Sequence, residues 1–290
     1  AHRLSLAAAF PRMAALEREH GSLIRGLIAR RGRTSAGPLT SLRGGMQSLP
    51  RALAARGGFT VHRKCSVWAI DRAGAGWTIS VSGSSERLNA DAVVLATEPW
   101  VSATLMGPVH EAAAHALASI PCPPVAVVAL GFGPEVRPQV PDGFGVLIAR
   151  GEGFRMLGNL WETSLYPGRG PAGGILIRAM FGGAVDTEIG ELSDDAMRAL
   201  ARDEVRRLYG LRQEPRFEAV VRVPRAIPQY EHGHLGRVAV VEAALEELPG
   251  LAVTGNGLRG VAFADAAADG VRTGARMVAW IGARPAATVA

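Results

Sequence analysis

The sequence predicts a mixed α/β and α+β fold in which two domains interleave. The chain has 290 residues, of which 48% are hydrophobic, so it can bury substantial cores. The continuous apolar run at 91–97 is typical of a strand buried on both faces in an α/β domain. Four strand-like runs between residues 124 and 181, with little helix among them, predict a largely antiparallel sheet. A strand, a glycine turn and a helix then return near the C-terminus.

The first third of the chain contains helices followed by strands. Leucines and isoleucines at helical spacing predict one helix over 10–31, ended by Gly32 and Pro38. A short helix follows at 46–55. Hydrophobic alternation then predicts strands at 59–63, 65–71 and 77–82, joined by tight turns.

The last third returns to longer helices. Ser193 is a suitable N-cap for a helix that ends at Tyr209, since Asp194 and Asp195 fall in its first turn. The remaining predicted elements are a strand at 217–223, a helix at 236–248, a strand at 251–254 and a helix at 265–281.

The positive charge is carried almost wholly by arginine and is concentrated near the N-terminus. Lys64 is the single lysine of the chain, and the net charge is +6. A basic helix near the N-terminus is either a solvated face or a surface for anionic lipid or an acidic substrate. A nucleic-acid partner is not expected, because no basic stripe is interleaved with aromatic residues.

The two cysteines and the hydropathy pattern limit the cellular setting. Cys65 and Cys122 lie far apart and outside any CxxC motif, which favours a reducing compartment and no zinc site. No apolar run reaches the roughly 18 residues of a spanning helix, and no signal-peptide pattern is present. We expect a cytoplasmic protein whose membrane contact, if any, is peripheral.

The glycine segment 255–260 matches G-x-G-x-x-G between a strand and a helix. A dinucleotide fingerprint needs a second parallel strand ending in an acidic residue about 20 residues later, and residues 275–281 do not provide it. A strand, a turn without side-chain bulk and a helix N-terminus instead predict a helix end that faces a ligand. In a flavoenzyme such an end can lie beside the pyrimidine edge of the flavin, where negative charge accumulates on reduction. A purely structural turn is the alternative.

Several stretches, in order, resemble the protoporphyrinogen-oxidase branch of the flavin-containing amine oxidase superfamily. The stretches are SLRGGMQSLPRAL (41–53), DAVVLATEP (91–99), GFGVLIAR (143–150), IPQYEHGH (227–234) and GLRGVAFADAAADG (257–270). The resemblance implies an FAD-binding two-domain fold with an antiparallel-sheet substrate domain. It also implies that the family's N-terminal Rossmann unit, which holds the FAD pyrophosphate, is missing from this sequence.

The resemblance divides the chain into four segments. Residues 1–40 would be a helical part of the substrate domain, 41–105 a segment of the FAD domain, 106–224 the substrate-binding domain, and 225–290 the C-terminal segment of the FAD domain. The implied partners are a porphyrinogen, molecular oxygen as the acceptor that reoxidises the flavin, a peripheral membrane surface, and a second copy in a homodimer.

The resemblance also assigns residues to sites. The cofactor-binding candidates are Val67 on the adenine side, Val223 near the flavin where relatives often have tryptophan, and Val261, Ala262 and Phe263 at the flavin edge. The substrate-binding candidates, which would enclose the tetrapyrrole, are Phe144, Leu147, Leu160 and Met180. Ordinary core packing is the alternative for these four.

The chemistry implied is oxidation of protoporphyrinogen IX by hydride transfer to FAD. We assign no catalytic side chain and no metal site, since His232 and His234 form an HxH without a third ligand. The alternatives are a coproporphyrinogen III oxidase of the same fold, another enzyme of the superfamily, or a non-catalytic fragment unable to hold FAD.

Overall fold

The computed structural model describes residues 2–29, 40–166, 168–170 and 172–283. The chain forms two compact units, which we call unit 1 (Ala1–Pro121 with Pro228–Ala290) and unit 2 (Cys122–Ile227). These units are defined by internal contacts and not by what they bind. The four sequence-derived segments, including the assignment of residues 1–40, therefore stay predictions.

Unit 1 contains most of the helices and two small sheets. Its helices are α1 (Leu6–Ala9), α2 (Pro11–His20), α3 (Leu23–Ala29), α4 (Ser48–Arg56), α5 (Pro99–Met106), α6 (Glu111–Ala118), α9 (His234–Glu246) and α10 (Phe263–Gly282). Its strands are β1 (Val67–Ala73), β2 (Gly76–Val81), β3 (Leu88–Ala90), β4 (Val93–Leu95) and β10 (Leu251–Val253).

The single N-terminal helix predicted over 10–31 is wrong. Gly21 takes a left-handed conformation (φ 67°) and ends α2, and α3 starts two residues later. Glycine reaches this conformation without the steric cost that a Cβ atom imposes, so a helix commonly ends there. Residues 30 and 31 lie outside the described part of the chain.

Unit 1 contains one antiparallel and one parallel sheet. β1, β2 and β3 form an antiparallel sheet in that order, and β10 pairs with β4 in parallel. The strand predicted at 59–63 is wrong, because these described residues are exposed and belong to neither sheet. The prediction that the run 91–97 is buried on both faces is also wrong at Val94, which is exposed while Val93 and Leu95 are buried.

Helix α10 buries its more polar stripe and exposes its more apolar one. Asp269, Thr273 and Met277 are buried at spacings of four residues. Val271 and Val278 are 74% and 71% exposed. A helix on the surface of a globular unit normally shows the reverse pattern, so the body of α10 presents an apolar face on unit 1.

Unit 2 is built around one five-stranded antiparallel sheet. Its strands are β5 (Val125–Phe132), β6 (Gly145–Leu147), β7 (Met156–Trp161), β8 (Ile175–Gly182) and β9 (Phe217–Val223), and its helices are α7 (Glu162–Leu165) and α8 (Asp194–Tyr209). The sheet order is β6-β7-β8-β5-β9, with every neighbouring pair antiparallel. The predicted antiparallel sheet is confirmed.

One face of this sheet packs on the unit 2 core. Alternate residues of β5 and β8, such as Val128 and Ile177, are fully buried in a cluster that includes Met197 and Val205 of α8. The predicted N-cap is confirmed, because Ser193 Oγ accepts a hydrogen bond from the N–H of Ala196 at 3.2 Å. Helix α8 packs on one face of the sheet, and the alternate side chains of the strands lie on the opposite face.

Within the described residues, no helix combines the length and the apolarity needed to cross a bilayer. In the same part of the chain no group of three or more His, Cys, Asp or Glu side chains could hold a metal ion. Both cysteines are free thiols.

Candidate functional site

The glycine segment predicted as a flavin contact forms a turn between β10 and α10. Gly255 and Gly260 both have left-handed backbones, with φ of 114° and 70°. A Cβ atom at Gly257 would collide with the ring of Pro99 at the start of α5. The turn therefore needs glycine for its conformation at two positions and for close packing at a third.

Two stacked rings from the stretch IPQYEHGH contact two backbone carbonyls of this turn. Tyr230 and His234 are 2% and 1% exposed, and their rings stack with centroids 4.0 Å apart. Tyr230 Oη donates a hydrogen bond to the carbonyl of Asn256 at 2.5 Å, and His234 Nε2 lies 2.9 Å from the carbonyl of Leu258. Two carbonyls of the turn are thus fixed by side chains of one short stretch.

The protonation of His234 follows from these surroundings. Burial lowers the pKa of His234, and the nearby charges of Arg237 and Arg259 act in the same direction against the Leu258 hydrogen bond. The neutral ring then carries its hydrogen on Nε2, because a carbonyl can only accept. Nδ1 is buried and has no hydrogen-bond partner among the described residues. Of the HxH pair, His232 is exposed and His234 is an internal support of the turn.

Asp269 of α10 ties the helix back to the start of the turn. Its Oδ2 accepts a hydrogen bond from Thr254 Oγ1 at 2.6 Å and a longer one from the N–H of Gly255 at 3.4 Å. Burial alone would raise the pKa of Asp269, but these hydrogen bonds and the Arg272 guanidinium outweigh it and hold the pKa below its ordinary value. The carboxylate is therefore charged at neutral pH.

The N-terminus of α10 has the features expected of a flavin-edge contact. Ala262 is the N-cap residue, and no side chain caps the helix. The N–H groups of the first turn have no acceptor within the helix, and a 20-residue helix places positive potential there. Val261 and Phe263 beside it are 40% and 58% exposed. Uncapped donors flanked by exposed apolar side chains fit the edge of a flavin ring.

The other two predicted cofactor residues, Val67 and Val223, belong to β-strands. Val67 is the first residue of β1, in the three-stranded sheet of unit 1, and is partly exposed. Val223 is the last residue of β9 in unit 2. Val261, Ala262 and Phe263 adjoin one another at the start of α10, and the cofactor roles of Val67 and Val223 stay predictions.

A cleft of about 790 Å³ is lined by residues of α9, β10 and α10. Its charged lining includes Glu242, Arg259, Arg272 and Arg276, and its apolar lining includes Trp280. None of the predicted site residues lines it, although Leu258 and Arg259 of the glycine turn do.

Three of the four predicted substrate residues, Leu147, Leu160 and Met180, lie on the face of the unit 2 sheet that α8 does not cover. Leu147 and Met180 both pair with Gly158 in one row across the sheet, and Leu160 belongs to the next row. Phe144 directly precedes β6 and lies opposite Trp161, a residue of the covered face, so the register does not place it with the other three. Leu147 is 86% exposed, so the alternative of ordinary core packing is wrong for this residue.

This sheet face, which we call the open face, is almost entirely apolar. Side chains alternate between the two faces of a strand, so the pairing register assigns each residue to a face. The strand residues on the open face are Gly145, Leu147, Gly158, Leu160, Val125, Val127, Ala129, Gly131, Leu176, Arg178, Met180, Gly182, Phe217, Ala219, Val221 and Val223. The four glycines of this face have no side chain and leave backbone between the larger apolar side chains.

Arg178, which sequence reasoning missed, is the one charged side chain among these described strand residues. It pairs directly with Leu160 on one side and with Ala129 on the other. Its Nη2 lies 2.7 Å from Oε1 of the buried Glu162 in α7. Arg169 reaches Oε2 of the same carboxylate at 3.5 Å. The available signal in the sequence was a single arginine within the otherwise apolar strand β8.

Comparisons with known proteins agree with this architecture. A family model described as flavin containing amine oxidoreductase matches residues 1–278. The chain is similar to chloroplastic protoporphyrinogen oxidase of Nicotiana tabacum (30% identity, 90% of this chain, 53% of that protein). It is also similar to coproporphyrinogen III oxidase of Propionibacterium freudenreichii subsp. freudenreichii (35% identity, 81% of this chain, 44% of that protein).

A solved structure gives the same fold. A crystal structure from Exiguobacterium sp. 255-15, provisionally named a protoporphyrinogen oxidase, superposes with a TM-score of 0.80 at 21% identity and covers 96% of this chain and 60% of that one. The chain spans about half the length of the curated relatives it matches. By the extent of the family match, this chain belongs to the flavin-containing amine oxidoreductase family, whose cofactor is FAD.

Proposed function

We propose that this chain is part of an FAD-dependent oxidase that converts protoporphyrinogen IX to protoporphyrin IX. The observation that carries the proposal is the broad apolar open face of unit 2, on which the predicted residues Leu147, Leu160 and Met180 lie. Such a surface suits a large tetrapyrrole better than a small amine. The names of the relatives from tobacco and Propionibacterium support the same class of substrate.

The chain's own residues would bind and orient the reactants. FAD, when bound, supplies the hydride acceptor, so no nucleophile or metal is required of the protein. The uncapped first turn of α10 would place positive potential at the ring edge where reduction adds negative charge. The open face would hold the tetrapyrrole and exclude water from its apolar surface. No side chain is assigned a proton-transfer role.

The direct test uses anaerobically prepared protoporphyrinogen IX and protein loaded with FAD. Formation of fluorescent porphyrin faster than spontaneous oxidation supports the proposal, and a rate no higher than the buffer control refutes it. An absorbance scan after desalting addresses the alternative of a non-catalytic fragment. Flavin bands that survive desalting would exclude that alternative.

Coproporphyrinogen III is a second candidate substrate. Arg178 on the open face favours it, because coproporphyrinogen III carries four propionate groups where protoporphyrinogen IX carries two. The identity of 35% to a protein named coproporphyrinogen III oxidase supports the same candidate. Parallel assays with both substrates separate the two, since the true substrate should give the higher kcat/KM.

Peripheral contact with the cytoplasmic face of a membrane is a further part of the proposal. Helix α3 exposes three large apolar side chains at helical spacing, Ile24, Leu27 and Ile28, beside Arg25. An exposed apolar stripe with a basic flank is the pattern of helices that lie in a lipid interface. Co-sedimentation with anionic vesicles tests this, and it should be lost in I24Q/L27Q/I28Q but not in the α4 variant L53Q.

Two parts of the proposal rest on the family resemblance alone. These are reoxidation of the flavin by molecular oxygen and assembly as a homodimer. Hydrogen peroxide release during turnover tests the first. The molar mass measured by light scattering after size-exclusion chromatography tests the second. Peroxide absent during porphyrin formation would point to another acceptor, and a monomeric mass would refute the dimer.

A further inference from the structure

We propose that Arg178 binds a carboxylate group of the substrate that lies on the open face. This inference rests on the proposed function, because it takes the occupant of the face to be a tetrapyrrole with acidic side groups. It assigns a binding role to a residue for which neither motif nor resemblance supplied one.

The position of Arg178 is the first argument. Its cross-strand neighbours on the face are Leu160 and Ala129, and Met180 lies two residues along the same strand. The open face otherwise offers an occupant only apolar contact. An arginine in such surroundings gives an anionic group a strong, directed interaction, since low local polarity strengthens charge-assisted hydrogen bonds.

The partial exposure of Arg178 beside a buried carboxylate is the second argument. Glu162 is buried, with 7% of its side chain exposed, and forms ion pairs with both Arg178 and Arg169. Because the Arg178 side chain is 44% exposed and only its Nη2 is held by Glu162, donors on its other nitrogens face outward. Arg178 can therefore donate hydrogen bonds to an added carboxylate.

Glu162 also explains how the arginine is held in place. It directly follows β7 and starts α7, which packs on β8. A buried partner fixes the long side chain at low entropic cost and so prepares it for a ligand. A purely structural role, in which Arg178 only neutralises Glu162, predicts a different outcome in the experiment below.

The experiment measures binding of two porphyrin probes to the 290-residue chain by fluorescence titration. The probes are coproporphyrin III and its tetramethyl ester, both held in the same mild detergent. We expect R178Q to weaken binding of the acid by roughly 5- to 20-fold and to leave binding of the ester unchanged. R178K keeps the charge and should lose no more than about threefold.

The matched control is R198Q, which removes an arginine of α8 that pairs with the exposed Asp195. It changes the net charge equally and should leave both affinities unchanged. If R178Q folds poorly, the double variant E162Q/R178Q removes both partners of the ion pair and should show the same selective loss.

Each outcome decides between the proposals. Equal losses for acid and ester, or no loss for the acid, overturn the carboxylate role and leave the tetrapyrrole face standing. A wild-type chain that binds neither probe overturns the tetrapyrrole face and, with it, the role of Arg178.

Discussion

The ring of Tyr230 lies against the imidazole of His234, with centroids 4.0 Å apart and ring planes 17° from parallel. Each ring then reaches one carbonyl of the turn that precedes α10, at Asn256 and Leu258. The stretch IPQYEHGH and the glycine turn are far apart in sequence, and this stacked pair joins them. The pair therefore governs how firmly the turn is held.

Tyr230→Phe should lower the stability of the chain by about 1–2 kcal/mol, because it removes the buried hydroxyl that donates to Asn256 while keeping the ring stack. Urea unfolding followed by tryptophan fluorescence measures the change. Tyr166→Phe, a half-buried tyrosine of unit 2, is the control and should change stability by less than about 0.5 kcal/mol. Equal effects of the two substitutions would show that the Asn256 contact does not contribute.

His234 should make stability depend on pH below neutrality. Burial lowers the pKa of His234 below its ordinary 6.5, so the unfolded chain binds a proton that the folded chain excludes. The stability present above pH 6.5 is then lost as the pH falls, by at most about 1.4 kcal/mol per pH unit, until the folded-state pKa is passed.

Unfolding between about pH 5.5 and 8 measures this slope, compared with His234→Gln. Glutamine keeps an N–H donor for Leu258 and cannot be protonated in this range. The slope of the variant should be smaller than that of the wild type. Parallel pH profiles for the two proteins would assign the dependence to other groups.

Two glycine substitutions around α10 should act in opposite directions. Gly260 has φ 70° and an added Cβ would collide with Asp265, so Gly260→Ala should cost about 1–2 kcal/mol or more. Gly270 lies within the helix with open space around it, so Gly270→Ala should stabilise by about 0.5–1 kcal/mol. Thermal unfolding of both variants checks the prediction, and a shift in the same direction for both would contradict it.

Elements with strong local signals could be predicted from the sequence. The Ser193 cap, the acidic first turn and the end at Tyr209 defined α8, and the apolar runs of β5 and β8 defined the central strands of unit 2. These signals act over a few residues and do not depend on distant neighbours. The break at Gly21 was missed, because a glycine within a helical pattern is often tolerated.

Tertiary relationships could not be predicted in the same way. The period of α10 was evident, but the sequence did not reveal that Asp269 and Thr273 face inward while Val271 faces outward. The inward face depends on Thr254, fifteen residues earlier, which supplies a partner for the carboxylate. Arg178 was missed for the same reason, because its apolar surroundings come from the neighbouring strands β7 and β5 and not from its own strand alone.

The contact between Thr254 and Asp269 should be measurable as a coupling energy. Thr254 Oγ1 donates to the charged Asp269 at 2.6 Å in a buried setting, so a double-mutant cycle with Thr254→Val and Asp269→Asn should give about 1–2 kcal/mol of interaction. Arg272→Gln is the control. Its side chain is 64% exposed, so loss of its ion pair with Asp269 should cost less than about 1 kcal/mol.

The protonation of Asp269 sets the pH below which its hydrogen bond with Thr254 is weakened. Because hydrogen bonds and Arg272 hold the pKa of Asp269 below its ordinary 3.8, the stabilisation is fully present above pH 3.8 and is lost as the pH falls through the folded-state pKa. The Thr254–Asp269 coupling measured at neutral pH should therefore persist at pH 5. A coupling that disappears by pH 5 would mean that the carboxylate is not the group that anchors α10 to the turn.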